Sequence, residues 1–348
     1  MANKAIVYVE KGKATVQDVS TPTPRDDYIL VKANAVGVNP TDYKNIDFGV
    51  TEAGSRMGCD YAGVVEAVGS KVTKPFKKGD RISGMAHGGD RYHLDNGAFA
   101  NYIVVKGDVQ IKTPDNVSDE EAATLGVSIN TVGQGLYKAL GLPLPTDSKK
   151  DHQPIFIHGG STATGIFGIQ LAKLSGLKVI TTASPHNFEY LKSLGADEVF
   201  DYKVPNIGAE IRSYTDNNLK VAWDCAGSAV ELINSSLSSN GGKWGTITPY
   251  TEEQLKAVRS DIVGPYHTLA YEIFGEPFRK FKETPAKPDE FEHAKIFWES
   301  TRQLLEEGKL KVPRIALNRG GNGLDGVLKG MDDLRAHKVS GEKLVYTL

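Results

Sequence analysis

From Pro154 onward the chain alternates short apolar runs with helix-forming stretches, and that alternation restricts its fold more than any other feature. IFIHGG (155–160) reads as a buried strand and ATGIFGIQLAKLSG (163–176) as a helix stopped by Gly176. KVITTAS (178–184) is the next strand, followed by the helix HNFEYLKSLG with Ser184 as cap and Pro185 in its first turn. DEVFDY (197–202), VAWDCAG (221–227) and WGTITPY (244–250) are further strands, with helices near IGAEIRSYTDN and SAVELINSSLSS. Apolar strands separated by helices at this spacing are covered on both faces, so the run predicts an α/β, doubly wound parallel sheet of five strands.

The first third follows another pattern. KAIVYV (4–9), YILVKANAVGV (28–38), YAGVVEAVG (61–69), FANYIVV (99–105) and VQIK (109–112) are rich in Val, Ile and Tyr, with Gly, Pro and Asp between them. That is an irregular β domain. A helical segment is expected over 119–140, with Ser118 as N-cap and Glu121 three residues on. Residues 143–153 are polar with two prolines and read as a surface loop. Residues 251–288 follow no single period; helices are expected at 290–308 and 323–338, and a strand at 342–348. A closing strand needs a sheet to join, so the chain is expected to return to its first domain. The expected organisation is a β domain at 1–125 completed by about 305–348, with the parallel-sheet domain at 126–304.

A length of 348 residues fits two domains. A formal net charge of −2 argues against nucleic acid or a membrane surface as the partner. No stretch reaches the roughly 18 apolar residues of a membrane span. MANKAIVYVE carries charges where a secretory signal needs its apolar region, so a cytoplasmic protein is expected. Two cysteines, Cys59 and Cys225, exclude a disulfide framework and a four-cysteine zinc site. Neither has a basic neighbour in sequence, and both read as buried, inert thiols. His87 and His93 flank Asp90 at a spacing that suits a metal, but a polar surface loop is the simpler reading.

Chemistry concentrates where the first parallel strand meets its helix. In GGSTATG (159–165), Gly159 and Gly160 let the backbone turn sharply, and N–H groups at the helix start face a pyrophosphate. The usual G-x-G-x-x-G spacing would put glycine near Thr162; here Ser161, Thr162 and Thr164 offer hydroxyls instead, around Ala163. The second strand then decides the cofactor. An NAD site ends that strand with a carboxylate for the ribose 2′-hydroxyl. VITTASPHN has no carboxylate before Glu189, while Ser184, His186, Asn187 and Tyr202 can donate to a 2′-phosphate. NADPH is therefore the expected cofactor.

With VGVNPTDYK (36–44), GCDYAGVVEAVG (58–69) and KKGDRI (77–82) added, the chain resembles the medium-chain dehydrogenase/reductase superfamily over nearly its full length. The resemblance implies a GroES-like catalytic domain beside a Rossmann cofactor domain. Zinc-dependent members carry cysteine where Asn39 stands and histidine where Cys59 stands. The likeness therefore points to the zinc-free quinone reductase and enoyl reductase branch, and to no metal. GGSTAT, SPHNF (184–188), VFDY (199–202), IFGE (273–276) and SGEKLV (340–345) look closest to fungal trans-acting enoyl reductases of the lovastatin type. Gly165 stands where the lovastatin-type enzyme has alanine.

That resemblance assigns Gly160, Ser161–Thr164, Ser184, Pro185, His186, Asn187 and Tyr202 to NADPH, with Asn39, Thr41 and Lys44 beside it. Ile247, Thr248, Val339 and Ser340 would face the nicotinamide end. Gly126, Ser128, Asn130, Thr131, Gly133 and Phe274 would line a substrate pocket. Lys44, then Tyr43, is the expected catalytic group, meeting negative charge on the substrate oxygen. The implied reaction is NADPH-dependent reduction of a C=C bond conjugated to a carbonyl. A quinone or aldehyde reductase on the same scaffold and a non-catalytic NADPH-binding protein are the alternatives. The partner is then a small α,β-unsaturated carbonyl or a quinone, and monomer or dimer stays open.

Overall fold

The computed structural model describes residues 3–147, 152–227 and 229–348. The chain divides into two compact units, one formed by Met1–Asn130 with Tyr271–Leu348 and the other by Thr131–Ala270. Among the described residues no helix is long and apolar enough to cross a membrane.

The first unit is built on a seven-stranded sheet around Tyr28–Gly37, which pairs antiparallel with Asp60–Val68, Tyr102–Lys106 and the closing strand Glu342–Thr347. The expected return of the chain is thus present, in the register Val345 to Gly37 and Thr347 to Ala35. Alternate residues of these strands (Ile29, Val31, Val65, Ile103) join Ile6, Tyr61, Phe99 and Tyr346 in one buried cluster. The return comes at Tyr271 rather than near 305. Residues 271–306 are held to the β domain by side chains: Glu276 accepts from Tyr28 and Lys106, and Lys280 Nζ donates to the carbonyls of Gly88 and Gly89. The helix Pro288–Glu306 packs on Gly107–Val109 and Ile111–Lys112. At the other boundary the unit runs to Asn130, because Val127 N–H donates to Asp60 Oδ1 and Trp298 Nε1 donates to Asn130 Oδ1.

The expected helix over 119–140 is broken into three parts. Ser118 caps Asp119–Ala122 with the Glu121 capping box, Gly126–Val132 is α-helical, and Gly133–Ala139 widens to a π-helix. The expected loop at 143–153 lies partly outside the described residues.

The second unit holds a six-stranded, all-parallel sheet. Its order is Glu198–Asp201, Lys178–Ala183, Pro154–His158, Val221–Asp224, Gly242–Thr246, Ile262–His267, which is 3-2-1-4-5-6 by occurrence. This is the Rossmann order, with its switch point between the first and fourth strands. The five expected strands are all present; the sixth was not expected. Ile262–His267 is an edge strand with only Ile262 buried, and it contains Pro265, so it carries neither an apolar run nor alternation.

Candidate functional site

In the second unit the candidate residues lie at the carboxyl ends of the strands. Gly159 follows the first strand with φ +82°, in the left-handed region that glycine enters without strain. The helix Ala163–Leu174 starts directly after, capped by Thr162. Thr162 Oγ1 accepts from Gly165 N–H at 2.9 Å and donates to Gly159 O at 2.8 Å. This corrects one expectation: the single hydroxyl proton of Thr162 closes the loop and is not offered to a phosphate. Ser161 and Thr164 hydroxyls make no hydrogen bond among the described residues, so two donors remain beside the helix start. A Cβ at Gly165 would come within 2.4 Å of Gly159 O and 2.8 Å of Gly160 Cα. Glycine there lets helix and loop touch, the part played by the last glycine of the dinucleotide fingerprint.

At the end of the second strand Ser184 precedes the Pro185–Asn187 turn, and its side chain makes no cap bond. Its hydroxyl lies 3.3 Å from the hydroxyl of Tyr202, which follows the third strand and is 46% exposed. Lys203 Nζ stands 5.9 Å from the Tyr202 ring centroid, a cation that sequence reasoning missed although it adjoins VFDY. Asp201 turns its carboxylate back to Lys203 N–H. His186 is exposed and Asn187 buried, with 3.2 Å between their side-chain nitrogens.

Across the switch point, buried Asp224 was also missed, since nothing in VAWDCAG marks it beyond its charge. It accepts from Ala226 N–H, Gly227 N–H, Tyr250 OH and Thr246 Oγ1, fixing the turn after the fourth strand. Ile247 and Thr248 follow the fifth strand, half-buried, with Thr248 N–H donating to Thr246 Oγ1. Thr131 and Gly133 are buried. Cys225 is buried, which pushes its thiol well above the ordinary range.

In the first unit Asn39 precedes the helix Pro40–Phe48, where Pro40 takes the first position and Asp42 accepts from Asn39 N–H. Thr41 and Lys44, one turn apart, share a helix face; Thr41 is half-buried and Lys44 exposed. Tyr43 is half-buried against the Arg335 guanidinium, 5.2 Å from its ring centroid. Asn39 is buried, with its Oδ1 accepting from Lys343. Burial and the neighbouring Asp60 push the Asp42 carboxyl up to about 7. Gly126 packs on Asp60, where a Cβ would meet Oδ1 at 2.3 Å. Ser128 is buried. Val339 is half-buried and Ser340 exposed, just before the closing strand.

Two residues expected in a substrate pocket are engaged in packing. Asn130 uses both ends of its amide, on Trp298 and on Gly126 O. Phe274 is 2% exposed and stacks on the His87 ring at 5.2 Å. His87 and Asp90 are themselves buried, not on a polar surface loop as expected. Burial holds the imidazole neutral, its pKa lowered to about 3 despite Asp90 Oδ2 at 3.5 Å. Among the described residues no three His, Cys, Asp or Glu side chains gather as metal ligands.

The donor set suits a dinucleotide phosphate: two hydroxyls at a helix start with no hydrogen bond among the described residues, glycines where side chains would intrude, and Ser184, Tyr202 and Lys203 where NAD enzymes place a carboxylate. Residues 25–115 match the model of the alcohol dehydrogenase GroES-like domain, and residues 163–256 that of the zinc-binding dehydrogenases. A mycobacterial protein, Rv1454c, solved in complex with NADPH, shares the fold (TM-score 0.76, 20% identity, 99% of this chain and 100% of that one). Fold and site together define a medium-chain dehydrogenase/reductase.

Within that class, the trans-enoyl reductase ACTTS2 of Alternaria alternata is 41% identical over 350 residues, covering 100% of this chain and 99% of the relative. The trans-enoyl reductase TOXD of Cochliobolus carbonum is 49% identical over 278 residues, 79% of this chain and 91% of the relative. The chain belongs to the trans-enoyl reductase family.

Proposed function

We propose that this protein is an NADPH-dependent enoyl reductase that acts without zinc on a C=C bond conjugated to a carbonyl. The observation that carries this reading is full-length likeness to a trans-enoyl reductase in a chain whose second strand is followed by Ser184 rather than a carboxylate. When bound, NADPH supplies the hydride for the β-carbon. Ser161 and Thr164, with the helix-start N–H groups, hold the pyrophosphate. Ser184, Tyr202 and Lys203 take the 2′-phosphate, bordered by Pro185, His186 and Asn187. Ile247, Thr248, Val339 and Ser340 attend the nicotinamide end.

Asn39, Thr41 and Lys44 serve the reacting end of the cofactor. Negative charge that develops on the carbonyl oxygen needs a fixed donor or cation, and exposed Lys44 is better suited than Tyr43, whose ring is taken up by Arg335. Water supplies the α-carbon proton. Gly126, Ser128, Thr131 and Gly133 are the remaining substrate residues in this reading, with Asn130 and Phe274 left to packing.

The test is NADPH consumption with a 2-alkenal, an enoyl thioester and 9,10-phenanthrenequinone. Turnover of the first two, with the thioester reduced at the C=C bond, supports the reading. Turnover of the quinone alone makes the protein a quinone reductase. NADPH binding without turnover of any of the three makes it a non-catalytic binder.

A further inference from the structure

Tyr271 opens the segment that rejoins the first unit, and its hydroxyl is the centre of a buried hydrogen-bond cluster. Asn45 Nδ2 donates to it at 2.9 Å, Thr41 Oγ1 lies 2.8 Å away, and Cys59 Sγ lies 3.6 Å away. The ring is fixed from three sides. His87 packs against it at 4.8 Å between centroids and Phe278 at 5.9 Å, while Lys280 Nζ stands 4.3 Å from its centroid. The Lys280 ammonium is anchored by the Gly88 and Gly89 carbonyls.

Proton counting gives this cluster a direction. An amide Nδ2 can only donate, so Tyr271 Oη accepts from Asn45 and must place its own single proton elsewhere. The choices are the Thr41 oxygen at 2.8 Å and the Cys59 sulfur at 3.6 Å, each at hydrogen-bond distance for its element; the hydroxyl oxygen is the stronger acceptor, a thiol sulfur a weak one. Thr41 Oγ1 therefore accepts from Tyr271. It has no other partner among the described residues, so its own proton is left for a group outside the cluster. A cation against the tyrosine ring makes the phenol a stronger donor, which reinforces the order Asn45 to Tyr271 to Thr41.

We propose that Tyr271 is a positioning residue: held by Asn45 and Lys280, it fixes the Thr41 hydroxyl as a donor toward the nicotinamide end of NADPH. This rests on the reading of Thr41 as a cofactor residue.

NADPH dissociation constants, from nicotinamide fluorescence, test it without recourse to turnover. Thr41→Val should weaken NADPH about 5–20-fold and Thr41→Ser less than about 2-fold, since serine keeps the hydroxyl. Tyr271→Phe should weaken it about 3–10-fold, and the double variant no more than Thr41→Val alone, because a residue acting through another adds nothing once that one is gone. Asn45→Leu, a second route to the same effect, should cost about 2–4-fold. Unchanged affinity in Tyr271→Phe, or losses that multiply in the double variant, would overturn the positioning role. Unchanged affinity in Thr41→Val overturns instead the reading of Thr41 on which it rests. Wild-type protein that binds no NADPH overturns the cofactor reading and the proposal together.

Discussion

Lys343 and Asp60 form an ion pair inside the first unit, 2.8 Å from Nζ to Oδ2, with side chains 3% and 0% exposed. The same ammonium donates to Asn39 Oδ1, and the other oxygen of Asp60 accepts from Val127 N–H. One buried pair thus joins the closing strand to the starts of the two helices that carry Thr41 and Ser128. Removing one partner of such a pair leaves the other charge unsatisfied out of water.

Lys343→Met should therefore lower the unfolding free energy by about 3–5 kcal/mol, read from urea denaturation midpoints. Lys173→Met is the control: its partner Asp197 and its own side chain are partly exposed, and such pairs contribute about 0–1 kcal/mol. Equal effects of the two substitutions would refute the structural role given to Lys343.

Cofactor choice is tested at Tyr202. NADPH should bind at least about tenfold more tightly than NADH, a difference of about 1.4 kcal/mol. Tyr202→Phe should weaken NADPH by about 1.5–3 kcal/mol, typical for a hydrogen bond to a charged group, and leave NADH unchanged. The residue is exposed enough for thermal stability to stay constant. A parallel loss for both cofactors would assign Tyr202 to adenine contact instead.

Chelation should leave activity intact. Asn39, at the position of a zinc ligand in zinc-dependent members, has its oxygen turned to the Lys343 ammonium, a fixed positive charge that repels a metal dication. The Cys59 thiol is held well above its ordinary range by burial, and a metal ligand must be the thiolate. Dialysis against a chelator followed by metal analysis and assay checks this; stoichiometric zinc whose removal abolishes turnover contradicts it.

Stability against pH should carry the mark of His87. Its pKa falls from 6.5 to about 3 in the fold, because burial outweighs the attraction of Asp90. Between those values the unfolded chain binds a proton that the folded one does not, so stability falls as pH drops from 6.5 toward 3. Asp42, raised to about 7, acts in the opposite sense and partly masks the slope. The difference between wild type and His87→Phe isolates it. Relative to the variant, wild type should lose up to about 1.4 kcal/mol per pH unit in this window, measured by denaturation at several pH values. A difference that does not vary with pH would mean that His87 is protonated in the folded protein.

What the sequence makes legible depends on where a residue's partners lie. The parallel strands are readable because burial on both faces leaves runs such as VITTA and VAWD, and the Ser118 cap because its partner is three residues away. Ile262–His267 escaped because an edge strand need not be apolar. Thr162 was misread because the two uses of a hydroxyl, capping and ligand binding, look alike in GGSTATG. Segment 251–288 showed no period because much of its structure comes from distant side chains: Glu276 on Lys106, Lys280 on Gly88, Tyr271 on Thr41. Lys343 was visible only as one polar residue in a strand, with Asp60 lying 283 positions earlier.

The pairing of Val345–Thr347 with Ala35–Gly37 also sets a timetable for synthesis. Roughly 300 residues separate the two partners, so at about 5–20 residues per second the ribosome delivers the second about 15–60 s after the first. Thr131–Ala270 is complete well before then and carries its own sheet, so it can form while its host waits. During that interval half of the strand Tyr28–Gly37 presents unpaired N–H and C=O groups on one side, the kind of edge at which nascent chains adhere to one another. Val345, Tyr346 and Thr347 are the residues that take this edge away.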